Sequence, residues 1–273
     1  MTTSLTDART PGFEPTVGVV PDGRLGFVYD GDAFGPTPEV RRLDAIRATL
    51  LDPEACGPGD VYSIVMDVGR RRDRNLLLHH RLLFGVVTFA AGTIGEEPVR
   101  SQGHVHTVTP ATGWSPPEVF QIWVGRAVIL MQEHVDADPG RVFAVHAGPG
   151  DVVVTPPGWA HATINADPAC QLTFGAWCDR DYTGFAYRAV HARRGLAWRA
   201  VIRDGAMAWR RNDRYQDCPL IERLAPREPV FDIQPGACIY TQAVDDPRRL
   251  AFVPDARVAL EAWADFDPGE PIT

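Results

Sequence analysis

Nine short runs of apolar and β-branched residues limit what this chain can fold into more than any other feature. They are Val17–Val20, Leu25–Tyr29, Val61–Val68, Leu76–Ala90, Val119–Val124, Ala127–Gln132, Val142–His146, Val152–Thr155 and Gln171–Trp177. Most end at glycine, proline or aspartate, so they read as strands joined by turns. The 24 prolines and 25 glycines are scattered through the 273 residues, which suits many turns rather than disorder. All-β folds often use this length as one domain. Residues from about 60 to 190 are therefore expected to form an antiparallel barrel or double-sheet sandwich. One stretch breaks the pattern: Glu39–Leu51 places Val40, Leu43, Ile46 and Leu50 at helical spacing after Pro38. The expected organisation is a polar lead-in over 1–16, a barrel domain over 17–205 and a C-terminal extension over 206–273. Apolar islands at Ala237–Tyr240 and Val258–Phe266 would pack that extension on the barrel or on a partner subunit.

Composition removes several functions. The net charge of −8 offers no basic surface to nucleic acid or anionic lipid. All 27 basic residues are arginine, so Schiff-base chemistry, covalent pyridoxal attachment and a Walker A lysine are excluded. The five cysteines, Cys56, Cys170, Cys178, Cys218 and Cys238, are widely spaced and form no C-x-x-C pair. Neither a disulfide framework nor a thiolate zinc site is expected. The N-terminal MTTSLTDARTPGFEP lacks the basic and apolar blocks of a signal peptide, and no apolar run approaches a membrane span. The expected location is the cytoplasm.

Three segments carry chemistry. Gly103-His104-Val105-His106 puts two imidazoles on one face of a strand, because residues i and i+2 point the same way. Glu118 opens the next strand, which Gly125 closes. Residues 150–165 form a strand, a Pro156-Pro157-Gly158 turn and a returning strand that delivers His161. Three imidazoles and one carboxylate suit a borderline divalent ion such as Fe(II), Mn(II), Zn(II) or Ni(II), one per chain.

These segments match the cupin motifs. Residues 150–165 fit G-x5-P-x-G-x2-H-x3-N, and Glu118 to Gly125 fits E-x6-G. With Pro117-Glu118-Val119-Phe120, Thr155–Asn165 and Asp181-Tyr182-Thr183-Gly184, the chain resembles the archaeal-type cupin phosphoglucose isomerases. The likeness reaches upstream to Arg41-Arg42-Leu43 and Val61-Tyr62 and covers roughly residues 17–205. It implies an all-β cupin barrel with a short N-terminal helix, and His104, His106, Glu118 and His161 as metal ligands. It further implies Glu118 as the proton carrier in aldose–ketose isomerisation through a cis-enediol, and a homodimer. Tyr62, Ser101, Gly103 and Tyr182 occupy places where that family grips a sugar phosphate, and Thr163 follows the last histidine.

The sequence departs from the family around the substrate. Phe120 replaces a tyrosine, Val87 a threonine and Ala162 an arginine, while Thr107–Pro117 is a longer spacer that could bulge as a loop carrying Trp114 as a lid residue. Arg180 is a candidate for holding a substrate anion, since a guanidinium fork suits phosphate or carboxylate, with a surface salt bridge as the alternative. The leading expectation is a metal-dependent isomerase or epimerase of a phosphorylated sugar or related polyol. An Fe(II) cupin oxygenase and a non-catalytic sugar-binding cupin are the alternatives.

Overall fold

The computed structural model describes residues 17–19, 25–29 and 31–272. The lead-in expected over residues 1–16 lies outside them.

Twelve strands carry the architecture. They are β1 Glu39–Arg42, β2 Asp60–Met66, β3 Leu82–Phe89, β4 Glu118–Val124, β5 Ala127–Gln132 and β6 Val142–Ala147, then β7 Val152–Thr155, β8 Ala160–Asn165, β9 Leu172–Asp179, β10 Trp198–Arg203, β11 Ala206–Arg211 and β12 Leu220–Leu224. One sheet is antiparallel throughout, in the order β7-β4-β9-β3-β2-β1. The facing sheet runs β8-β5-β6-β12 and ends on the short strand Glu270–Pro271. Within it β12 lies parallel to β6. The all-β, double-sheet class read from the sequence is the one observed.

The strands read as continuous apolar runs because both faces of each sheet are covered. Between the sheets lies a core that includes Phe89, Phe120, Ile122, Ile129, Met131, Phe143 and Phe174. Outside the second sheet, Val128, Leu130 and Ile164 pack against α1, Arg188–Ala192, and the hairpin of β10 and β11. Outside the first sheet, Phe84, Trp123 and Trp177 pack against residues of the C-terminal segment, among them Ile239, Tyr240, Phe252 and Trp263. That segment contributes α2, Ile239–Asp245, and α3, Leu260–Ala264.

Two expectations need correction. The helix expected over 39–51 shrinks to Leu43–Ile46 followed by a 3-10 turn, Arg47–Thr49. Residues 39–42 instead pair with β2, in the register Glu39↔Ile64, Val40↔Ser63 and Arg41↔Tyr62. The open backbone groups of a sheet edge outweigh a helical apolar spacing whose first member, Val40, is 40% exposed. His79 and His80 fall inside Leu76–Ala90, which reads in the sequence as one strand run. They end a helix over Arg74–His79, with their rings 4.9 Å apart at a near-right angle. The run splits at Arg81, whose φ of +54° turns the chain from helix into β3.

Candidate metal centre and substrate cavity

The sequence puts the three histidines on two adjacent backbones. His104 and His161 are bridge partners, each amide donating to the other's carbonyl at 3.0 and 2.9 Å. His106 follows two residues on. Glu118, the first residue of β4, approaches from the opposite sheet, while Gly125 (φ +78°) turns β4 into β5. A Cβ at Gly125 would meet the Gln171 carbonyl oxygen at 2.5 Å, so the turn requires glycine. The spacer Thr107–Pro117 bulges away as a loop closed by a Thr109↔Trp114 bridge, which lets Glu118 reach the histidines.

The donor atoms of His104, His106, Glu118 and His161 lie within 4.8 Å of one another, and the group could hold a metal ion. Glu118 Oε2 is 3.2 Å from both His106 Nε2 and His161 Nε2. Each of these rings is aimed from behind. His106 Nδ1 lies 2.9 Å from the Pro116 carbonyl and His161 Nδ1 3.3 Å from that of Trp159. A carbonyl can only accept, so Nδ1 carries the proton and Nε2 turns its lone pair inward, as in a metal-ligating imidazole. Ser115 Oγ also donates to the His106 carbonyl at 2.8 Å, so the spacer loop braces this ligand.

The electrostatics agree. Burial would push the Glu118 carboxyl up, but the His106 and His161 imidazoles beside it hold it well below the usual carboxylate range. Burial, with His161 and His106 beside it, pushes the His104 imidazole well below its ordinary value, so His104 is neutral at pH 7. Burial also opposes charge on His106, but Glu118 more than offsets it and leaves that ring above its ordinary value. The buried Nε2 atoms of His104 and His106 have no hydrogen-bond partner. Orphaned lone pairs beside an ionised carboxylate fit a divalent cation.

Above this cluster lies a cavity of about 260 Å³. Tyr62, Ser101, Phe120, Thr163, Tyr182 and Val87 line it, as do the unforeseen Arg41, Phe185 and Tyr187. Ser101 and Thr163 are locked together by Ser101 N to the Thr163 carbonyl at 2.9 Å and Thr163 N to Ser101 Oγ at 3.0 Å. Burial pushes the Tyr182 phenol up to about 12, so it stays protonated.

Several candidates lie elsewhere. Gly103 stands behind the wall with φ +82°, within reach of Val190 and Ala162. Arg180 is bound to Asp67 at 2.7 Å and to the Leu82 carbonyl at 3.0 Å, outside the cavity. Its guanidinium is consumed by the fold. Trp159 packs on Phe143 and Trp114 is partly exposed on the spacer loop, and neither lines the cavity. Cys178 is buried and donates to Glu118 Oε1 at 3.3 Å, its thiol pushed well up by burial and by that carboxylate. It is an inert thiol.

Two facing sheets with three histidines and a glutamate converging between them define a cupin with a candidate metal centre. A family model described as glucose-6-phosphate isomerase (GPI) matches residues 42–217, and the chain belongs to that family. Among curated proteins it is 28% identical over 134 residues to the glucose-6-phosphate isomerase of Thermococcus kodakarensis, covering 46% of this chain and 61% of that one. It is 26% identical over 132 residues to the enzyme of Thermococcus litoralis, covering 46% and 62%. The chain thus spans about three-fifths of the length of these relatives. Among solved structures it is similar to a Bacillus subtilis oxalate decarboxylase, at 14% identity and TM-score 0.37, covering 61% of this chain and 34% of that one. An oxalate oxidase scores 0.30 at 13% identity, covering 39% and 45%. Likenesses this distant carry no argument about chemistry. No helix among the described residues is long and apolar enough to cross a membrane.

Proposed function

We propose that this protein is a metal-dependent aldose–ketose isomerase of a sugar phosphate. The observation that carries the reading is the convergence of His104, His106, Glu118 and His161, of which His104, Glu118 and His161 line a cavity walled by Tyr62, Ser101, Thr163 and Tyr182. His104, His106, Glu118 and His161 would hold one divalent ion, such as Fe(II), Mn(II), Zn(II) or Ni(II). When bound, such an ion polarises a carbonyl and its neighbouring hydroxyl and makes the adjoining C–H more acidic.

The remaining chemistry belongs to the chain. Glu118 is ionised at neutral pH and faces the cavity, so its carboxylate can take the proton from the carbon beside the carbonyl. Returning that proton to the neighbouring carbon, while a hydroxyl proton passes between the two oxygens, converts aldose to ketose through an enediol. Tyr62, Tyr182, Ser101 and Thr163 supply hydroxyls that orient the substrate. Phe120, Phe174 and Phe185 exclude water from the enediol. In this reading the partner is a small anionic sugar and neither nucleic acid nor membrane. The cytoplasmic location and homodimer that accompany it rest on the family likeness.

The test is interconversion of aldose and ketose phosphates, glucose 6-phosphate and fructose 6-phosphate included, by protein loaded with each of the four metals. Glu118→Gln should lower kcat by about 10²–10⁴, the usual cost of losing a general base, and lower metal content far less. Absence of turnover across the panel, with substrate-dependent oxygen consumption on Fe(II) loading, would replace the isomerase by an oxygenase.

A further inference from the structure

We propose that Arg41 is the anion-recognition residue of the cavity and that it receives the phosphate of a phosphorylated sugar. The proposal rests on the isomerase reading and extends it to the substrate's charged group. Arg41 and Glu39 lie two residues apart on the edge strand β1, so both point to the cavity face, and Arg41 stands opposite Tyr62 on β2. Among the described residues lining the cavity, Arg41 is the one cationic side chain besides the imidazoles. The chain has no lysine that could take its place.

The guanidinium is placed but not saturated. Its side chain is 23% exposed, and Nη2 reaches Glu39 Oε1 at 2.6 Å. The guanidinium also lies against the Tyr62 phenol. Its Nε is buried without a hydrogen-bond partner. Glu39 is a weak competitor, because its side chain is 64% exposed and an ion pair to so solvated a carboxylate contributes little. A phosphate monoester can displace it and accept parallel hydrogen bonds from the planar fork. Tyr62 stays a protonated phenol, since burial pushes it above its ordinary value, and can donate to the same anion. The cavity, at about 260 Å³, is at the small end of ligand sites, which suits a single phosphorylated sugar better than a nucleotide.

The experiment compares calorimetric affinities of the metal-loaded, full-length protein for fructose 6-phosphate and for fructose, in wild type, Arg41→Gln, Arg41→Lys and Glu39→Gln. Wild type should prefer the phosphate ester. Arg41→Gln should weaken the ester by about 10- to 100-fold, the range for a hydrogen bond to a charged group, and leave fructose affinity and metal content unchanged. Arg41→Lys should recover part of the loss. Glu39→Gln, which removes the competitor, should bind the ester more tightly, and it keeps the proposal testable if Arg41→Gln does not fold. Equal affinity of wild type for ester and neutral sugar, an unchanged ester affinity in Arg41→Gln, or weaker ester binding in Glu39→Gln would each overturn the proposal. Turnover separates the two readings. Ester binding through Arg41 with no isomerisation of any sugar phosphate fails the isomerase and keeps the anion site. Isomerisation with KM unchanged in Arg41→Gln keeps the isomerase and removes the anion site.

Discussion

Strands β4 and β9 present opposite faces to two different environments. Inward, Glu118, Phe120, Phe174 and Ala176 line the cavity. Outward, Val119, Trp123 and Trp177 pack against the C-terminal segment, which Gln121 grips by hydrogen bonds. On the outer face two polar side chains hold the C-terminal segment: Trp177 Nε1 donates to the Ile239 carbonyl at 3.1 Å, and Gln121 Nε2 to that of Ala237 at 2.8 Å. The Ile239 amide returns a bond to Gln121 Oε1 at 3.1 Å. On the inner face the Nε2 atoms of His104 and His106 are buried without hydrogen-bond partners. An unpaired buried polar group costs about 1–3 kcal/mol, so a fold keeps such groups where a bound species relieves the cost. Trp177 and Gln121 spend their polar groups on holding the fold. His104 and His106 reserve theirs for a ligand.

The sharpest way to break this contrast is to remove one large side chain from each face. His161→Ala should reduce metal retained after dialysis by more than about tenfold, because even loss of a group that only orients a ligand costs that much. Far-UV circular dichroism should stay that of the wild type. Full metal occupancy in His161→Ala would remove the assignment. Trp177→Ala should do the reverse. It leaves a void between Phe84 and Tyr240 and should lower stability by about 3–5 kcal/mol in denaturant titration. Metal content per folded chain should not change. If Trp177→Ala also empties the site, the two faces are not independent.

The difference between the faces also explains what could be read from the sequence. The histidine cluster was legible because its geometry is local: i, i+2 spacing on one strand and a proline turn fix His104, His106 and His161, and the cupin motif adds Glu118. The strand runs were legible too, with Ala127–Gln132 and Val152–Thr155 observed at the expected bounds. The far wall of the cavity was not. Arg41 fell inside a stretch read as an amphipathic helix, because Leu43, Ile46 and Leu50 are indeed buried at helical spacing. Only the pairing of β1 with β2, more than twenty residues apart in sequence, turns Arg41 inward. Arg180 takes its salt-bridge alternative for the same reason in reverse, since its partner Asp67 is remote in sequence. The C-terminal islands announced their burial but not their place, which depends on an outer sheet face made by other segments.

Neighbouring residues of one strand give a finer version of the contrast. Val119 is fully buried in the outer layer, and Phe120 next to it faces the cavity. Val119→Thr should lower stability by about 1–3 kcal/mol, because its hydroxyl is desolvated in an apolar layer. Phe120→Tyr adds a hydroxyl on the cavity side and should cost less. It should instead shift relative kcat/KM toward glucose 6-phosphate by about 2- to 12-fold, the worth of one net hydrogen bond. Equal destabilisation by both substitutions would mean that the inner face is as closed to polar groups as the outer one.

The smallest expected effect lies on a seam between the two regions. Glu133, just past β5, accepts from the Arg141 amide at 2.6 Å and from Arg141 Nε at 2.8 Å. Arg141 in turn donates to the Phe266 carbonyl of the C-terminal segment at 3.1 Å. Its guanidinium also lies 5.3 Å from the Trp159 ring, whose carbonyl faces His161 Nδ1. Partial burial pushes the Glu133 carboxyl up, but the Arg141 amide and guanidinium more than offset it and leave it below its ordinary value. A carboxyl depressed in the folded state contributes stability above the unfolded glutamate pKa, about 4.3, and loses it as pH falls through the folded value. Glu133→Gln should therefore be less stable than wild type by under about 1 kcal/mol near pH 6, the pair being partly solvated. The gap should close as pH drops below about 4, because protonated Glu133 then resembles glutamine. Parallel denaturant titrations across that range measure it, and a gap that widens toward acid would reverse the assigned sign. Metal affinity near pH 7 should be the same in both proteins. A change there would show that Arg141 transmits the state of the C-terminal segment to His161 through Trp159, and the two faces would then act as one unit.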